Sequence, residues 1–256
     1  MALTNQYKHL KMKKQTVLVT GASSGIGKAV AKYFLDKGDN LVINSLTADK
    51  LEEAYQELGA GDNLAFVAGD VSKKETGENL VKTAVEKFGS ADVLVNSAGI
   101  FERKSFLEVD EAYLDRFLST NFKGTFFTCQ AVIPQMIKQQ GGVIINVGAP
   151  VVNHAFGGSP TTAAISSKGA VHALTKQLAA EFGKHNIRVN SVGPGFIRTP
   201  LQGDKVDNLA SLPLLKRIGE PEEVAQMIYA VANSTYVTGA LIDVDGGIGA
   251  GHYLPA

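Results

Sequence analysis

The chain has 256 residues, 45% of them hydrophobic and 20% charged, and its 25 basic residues balance 25 acidic ones. This is the composition of a globular protein with a sizeable core, and the absence of a basic surplus argues against a nucleic-acid partner. A single cysteine, Cys129, rules out a disulfide within the chain, and no apolar run approaches membrane-spanning length, so a reducing cytoplasm is the expected location and no membrane partner is expected.

Residues 1–14 read as an N-terminal tail, locally basic from Lys8 to Lys14, and 15–256 as one domain. From Thr16 onward, short β-branched runs alternate with longer amphipathic stretches. Strands are expected at TVLVT (16–20), LVIN (41–44), LAFVA (64–68), DVLVN (92–96), GVIINV (142–147), IRVNSV (187–192) and LIDV (241–244). They are nearly all apolar, the mark of strands buried on both faces of a parallel sheet. Helices are expected near 26–37, 48–58, 73–88, 111–139, 162–182 and 221–233, with Thr161 and Thr162 capping the fifth. Strand–helix alternation argues for a doubly wound α/β sheet. The loop 202–212 is polar, has few apolar anchors and is expected to be the most mobile segment.

The first strand runs into TGASSGIG, Thr20 to Gly27. A glycine-rich turn between a strand and a helix is a pyrophosphate site. Gly21 permits the tight turn, Gly25 lets the backbone approach the phosphates, and Gly27 allows close packing of helix on strand. Ser23, Ser24 and Ile26 complete the turn. Three further segments fall at strand ends: Asp70-Val71 after the third, Asn96-Ser97-Ala98-Gly99 after the fourth, and Pro194-Gly195-Phe196-Ile197-Arg198-Thr199 after the sixth. In an open parallel sheet, that edge is where ligands bind.

These motifs, with Asn121 in STNFKGTF, Lys168 in SSKGAV and the ending VTGALIDVDGG, make the chain resemble a short-chain dehydrogenase/reductase of the compact type that includes 3-oxoacyl-[acyl-carrier-protein] reductases. The resemblance covers nearly everything after the tail. It implies a single-domain Rossmann fold with a seven-stranded sheet, NAD or NADP as cofactor, and a carbonyl or alcohol as substrate. It implies that Asp70 and Val71 meet the adenine, that Asn96, Ala98 and Gly99 line the ribose side, and that Ile197 and Thr199, beside Pro194 and Gly195, hold the carboxamide. It also implies a homodimer or homotetramer built through helices 111–139 and 162–182. No metal is expected. At the end of the second strand, Asn44 and Ser45 replace the acidic residue common in NAD sites, so the residues there favour NADP over NAD.

One feature departs from the family. Its members reduce carbonyls with a serine, a tyrosine and a lysine, supported by an asparagine. Asn121 and Lys168 match, but Ala149 stands at the serine position and Ala164 at the tyrosine position. Alanine cannot transfer a proton, and such help is worth roughly 10²–10⁴ in rate. His154, in the loop after the fifth strand, is a candidate substitute acid, and its alternative is a loop histidine without a chemical role. Ser166 and Ser167 flank Lys168, and Ser167 reads as a local packing or hydrogen-bonding residue. Three readings stay open: a reductase with another acid, a dinucleotide-binding protein without turnover, and an enzyme disabled by substitution or divergence.

Overall fold

The computed structural model describes residues 14–251 apart from 204, so the expected tail lies outside the described residues except for Lys14. All seven expected strands form, as β1 (Thr16–Thr20), β2 (Asn40–Ser45), β3 (Leu64–Ala68), β4 (Val93–Asn96), β5 (Gly142–Val147), β6 (Ile187–Pro194) and β7 (Leu241–Val244). They make one parallel sheet in the order β3-β2-β1-β4-β5-β6-β7. The order reverses between β1 and β4, which opens a crevice at the carboxyl edge.

Successive side chains of a strand point to opposite faces, and here both faces are covered. Val17 and Val19 of β1 pack with Phe34 of α1 (Gly25–Asp36), Leu51 of α2 (Ala48–Glu57) and Ile228 of α7 (Pro221–Asn233). Leu18, between them, packs on the other side with Leu80 of α3 (Lys74–Phe88) and Val132 and Met136 of α5 (Gly124–Lys138). This explains why the central strands are apolar without alternation. The edge strand β3 departs from that expectation. Only Leu64 is buried in it, Ala65 and Val67 are half-buried, and Phe66 lies 38% exposed with Tyr55 against it, because only one neighbouring strand and fewer helices cover it.

The expected helix 111–139 is interrupted. It divides into α4 (Glu111–Phe117), a π-helical segment (Leu118–Lys123) and α5. Asn121 sits in the π segment and clamps the backbone of Ile100: its Oδ1 accepts from Ile100 N at 2.8 Å and its Nδ2 donates to Ile100 O at 3.1 Å. A π segment of this kind frequently marks a functional site. Helix α6 (Thr162–Phe182) forms as expected, but the Thr161 hydroxyl donates to Ser159 O at 3.5 Å and caps nothing, which corrects the capping role expected of it. The loop 202–212 is also better anchored than its composition suggests. Val206 is 3% exposed, and Asp207 pairs with Arg198 at 2.6 Å.

Candidate active site

A cleft of about 880 Å³ runs along the carboxyl edge of the sheet. It begins at the turn between β1 and α1. Gly25 has φ +52°, a left-handed backbone that favours glycine, and a Cβ on Gly27 would stand 2.3 Å from Gly21 O. Gly21, Ser23, Ser24, Gly25, Ile26 and Gly27 all line the cleft. Ser24 holds the N-cap position of α1 without a capping side-chain bond, and the first turn has no acidic residue. The N–H groups that a helix leaves unpaired at this end therefore remain for an anion.

The adjoining wall is built from strand ends. Ser23 Oγ and Ser45 Oγ lie 2.8 Å apart and share a hydrogen bond. Asn44 donates from Nδ2 to Val67 O and Gly69 O at 2.9 and 3.1 Å, while its buried Oδ1 has no partner among the described residues. Asp70 accepts from Ser72 N at 2.9 Å in a short turn that exposes Val71 to the cleft. Thr20 Oγ1 accepts from both Ser97 N and Ala98 N at 3.1 Å, so a hydroxyl at the end of β1 shapes the rim that Ala98 and Gly99 form. Pro194, Gly195, Ile197 and Thr199 line the opposite side.

Asn96 does not line the cleft, which corrects its expected ligand role. It is 3% exposed and faces its register partner Asn146 inside the sheet. Asn96 Nδ2 donates to Asn146 Oδ1 at 2.9 Å, Thr128 Oγ1 donates to Asn96 Oδ1 at 2.7 Å, and Asn146 Nδ2 donates to Thr175 Oγ1 at 2.9 Å. This chain ties β4 and β5 to α5 and α6, because buried polar groups must be paired. Neither Asn146 nor Thr175 stood out in the sequence, since asparagine at a strand end reads equally as a turn residue.

The far part of the cleft gathers Ala149, Ala164 and Lys168. Ala149 lies two residues past β5, at the N-cap of a short 3-10 turn (Pro150–Val152), and Ala164 lies in the first turn of α6, 2% exposed. Lys168, one turn further on, donates from Nζ to Val147 O at 2.6 Å, and desolvation lowers its pKa to about 8. Asn121 is fully buried behind this wall. Its Nδ2 also donates to Ser167 Oγ at 2.9 Å, and Ser167 in turn donates to Ala164 O at 2.6 Å, which is the local role expected of Ser167. A Cβ on Gly99 would stand 3.2 Å from Asn121 Oδ1 and 3.4 Å from Lys168 Nζ, a measure of how closely these groups converge.

His154 is not part of this wall. Its ring meets Phe156 edge-on at 5.4 Å, and Phe156 is the residue that lines the cleft. The expected substitute acid is therefore displaced from the site, because the loop after β5 turns the phenylalanine inward. A different histidine stands nearer. His172 Nε2 accepts from Ala149 N at 3.4 Å, and burial, followed by the charges of Lys168 and Lys176, lowers its pKa to about 4. It is neutral near pH 7 and lies behind the β5 terminus, outside the cleft lining.

Comparison with known proteins gives a consistent pattern. The family model described as short chain dehydrogenase matches residues 15–210. The 3-oxoacyl-[acyl-carrier-protein] reductase FabG of Thermotoga maritima is 36% identical over 247 residues, covering 93% of this chain and 99% of the relative. Carbonyl reductase family member 4 of Xenopus laevis is 40% identical over 231 residues, covering 90% and 96%. Among solved structures, one titled "ElxO with NADP Bound" superposes with a TM-score of 0.86 at 31% identity, covering 92% of this chain and 99% of the other.

Proposed function

The chain belongs to the short-chain dehydrogenase/reductase family, and from that membership we propose that it binds NADP, in preference to NAD, and interconverts a carbonyl and an alcohol through a catalytic site reduced to Lys168 and Asn121. The observation that carries this reading is one continuous cleft from the glycine turn to Lys168, with alanine at both remaining catalytic positions. The residues fit a dinucleotide: the uncapped N-terminus of α1 suits its phosphates, and the unpaired Asn44 Oδ1 is an acceptor for a hydroxyl donor. When bound, the nicotinamide supplies or accepts the hydride. Lys168 holds its ammonium at this end of the cleft, with Asn121 fixing the neighbouring Ile100 backbone. With Ala149 and Ala164 unable to donate, Lys168 is the group that holds the proton for the carbonyl oxygen.

The preference for NADP rests on the end of β2. None of residues 44–48 is acidic, and a side groove there is lined by Ser23, Ser45, Thr47, Lys28 and Lys50, with the carboxylates of Glu53 and Glu57 on its α2 side. Lys28 pairs with Glu57, which lines the same groove, so Lys50 and the hydroxyls are the donors left for a phosphate. A structural relative solved with NADP supports the same choice. A homo-oligomer through α4, α5 and α6 is in keeping with the exposed Leu114, Phe126 and Ile137.

The test compares this chain with an Ala149→Ser, Ala164→Tyr variant in NADPH and NADH oxidation against a panel of carbonyls. The variant is expected to turn over at least about 10²-fold faster, the scale of general acid catalysis. Equal rates would overturn the reading of a reduced site. Saturable NADPH binding with no turnover in the unsubstituted chain would instead favour the second reading, a dinucleotide-binding protein without chemistry, which the same two alanines support.

A further inference from the structure

Resting on the reading of this cleft as an oxidoreductase site, we propose that its substrate is a flat apolar or aromatic carbonyl compound carrying a carboxylate, and that Arg103 is the residue that selects the carboxylate. The part of the cleft beyond Lys168 is formed by the loops after β4, β5 and β6. Phe101, Val151, Phe156, Ile165, Phe196 and Leu201 line it. The rings of Phe156 and Phe196 lie nearly parallel, 24° apart with centroids at 6.4 Å, so two separate loops present one aromatic surface. Aromatic faces of this kind favour a planar apolar group.

The charges in the cleft are one-sided. Its lining includes three ionisable side chains, Asp70, Arg103 and Lys168. Asp70 follows β3, on the far flank of the sheet from β4, β5 and β6. Among the described residues, the substrate half is therefore lined by two cations and no carboxylate. Arg103 is exposed, and its neighbours are already committed: Glu102 pairs with Arg116, and Lys104 pairs with Asp110 at 3.1 Å. Among the described residues, no carboxylate lies within ion-pair distance of Arg103. Its loop is held at the cleft by Lys104 N, which donates to Pro160 O at 2.9 Å, directly between the lining residues Ser159 and Thr161. A free guanidinium at the mouth of an apolar cleft suits a carboxylate in the two-pronged geometry that lysine cannot offer.

The experiment titrates para-acetylbenzoate and its methyl ester into the full chain, with and without bound NADPH, and repeats both titrations with Arg103→Gln. The acid is expected to bind about three- to tenfold tighter than the ester, a range set by a partly solvated charge pair, and Arg103→Gln is expected to remove that preference while leaving ester affinity unchanged. Equal affinities in the unsubstituted chain, or a preference that survives Arg103→Gln, overturn the proposal. The two readings separate cleanly. NADPH binding without a preference for the acid rejects the substrate class and keeps the cofactor reading. An acid preference dependent on Arg103 without NADPH binding does the reverse.

Discussion

Lys168 Nζ donates to the carbonyl of Val147 across 2.6 Å, and so bridges the first half of α6 to the last residue of β5. That bond fixes the ammonium beside both alanine positions. It satisfies one of three donors and leaves the others for a ligand or a proton acceptor. The lysine is thus both part of the fold and the remaining ionisable group at the catalytic end of the cleft.

The depressed pKa of Lys168 gives a pH dependence of known sign. Its folded value of about 8 lies below the ordinary lysine value, so the unfolded chain binds more protons between the two. Stability from this group should rise as pH increases from about 8 toward ~10.4, and be absent below that window. Thermal melts between pH 7 and 10 should show the unsubstituted chain gaining stability relative to Lys168→Met as pH rises. Any carbonyl reduction should fall over the same range as the ammonium loses its proton. A flat difference and a flat rate profile would contradict the assignment.

Asn96 should matter for stability and not for cofactor affinity. Asn96→Ala breaks bonds to Asn146 and Thr128 inside the sheet and leaves their groups unpaired. The expected loss is about 1–3 kcal/mol in urea unfolding, the cost of an unsatisfied buried partner. NADPH affinity measured well below the melting transition should be unchanged. A weakened affinity with unaltered stability would restore Asn96 to the ligand site.

Tyr113 should be replaceable by phenylalanine with a gain. Its ring packs with Phe117, Ala163 and Ala164, and its hydroxyl is buried with no hydrogen-bond partner among the described residues. Tyr113→Phe keeps the ring, including its contacts with Lys104 and Arg116, and removes the orphaned group. Unfolding free energy should rise by about 1 kcal/mol or more, within the desolvation cost of a polar group. Destabilisation by the same substitution would show that the hydroxyl has a partner in solution.

The strands and most helices were legible because their signals are local. Apolar runs bounded by turn residues, a glycine turn after the first of them and Pro221 at the head of α7 each act within a few positions. Periodicity predicts one continuous helix over 111–139 and carries no trace of the break at 118–123; only Asn121 itself hinted at a kink there. The break accompanies a clamp between Asn121 and Ile100, 21 positions apart. The exchange of His154 for Phe156 at the cleft wall has the same character, since loop positions two apart point in different directions according to the packing around them.

The doubly wound parallel sheet, the phosphate turn and the two alanines where a serine and a tyrosine were expected are all readable along the chain, because each is written in residues a few positions apart. Folding sets three further properties: Asn96 is an internal strut, Arg103 has no ion-pair partner among the described residues, and Phe156 and Phe196 form one surface. Those properties depend on which strand ends become neighbours when the sheet order reverses between β1 and β4, and on which nearby charges find partners first.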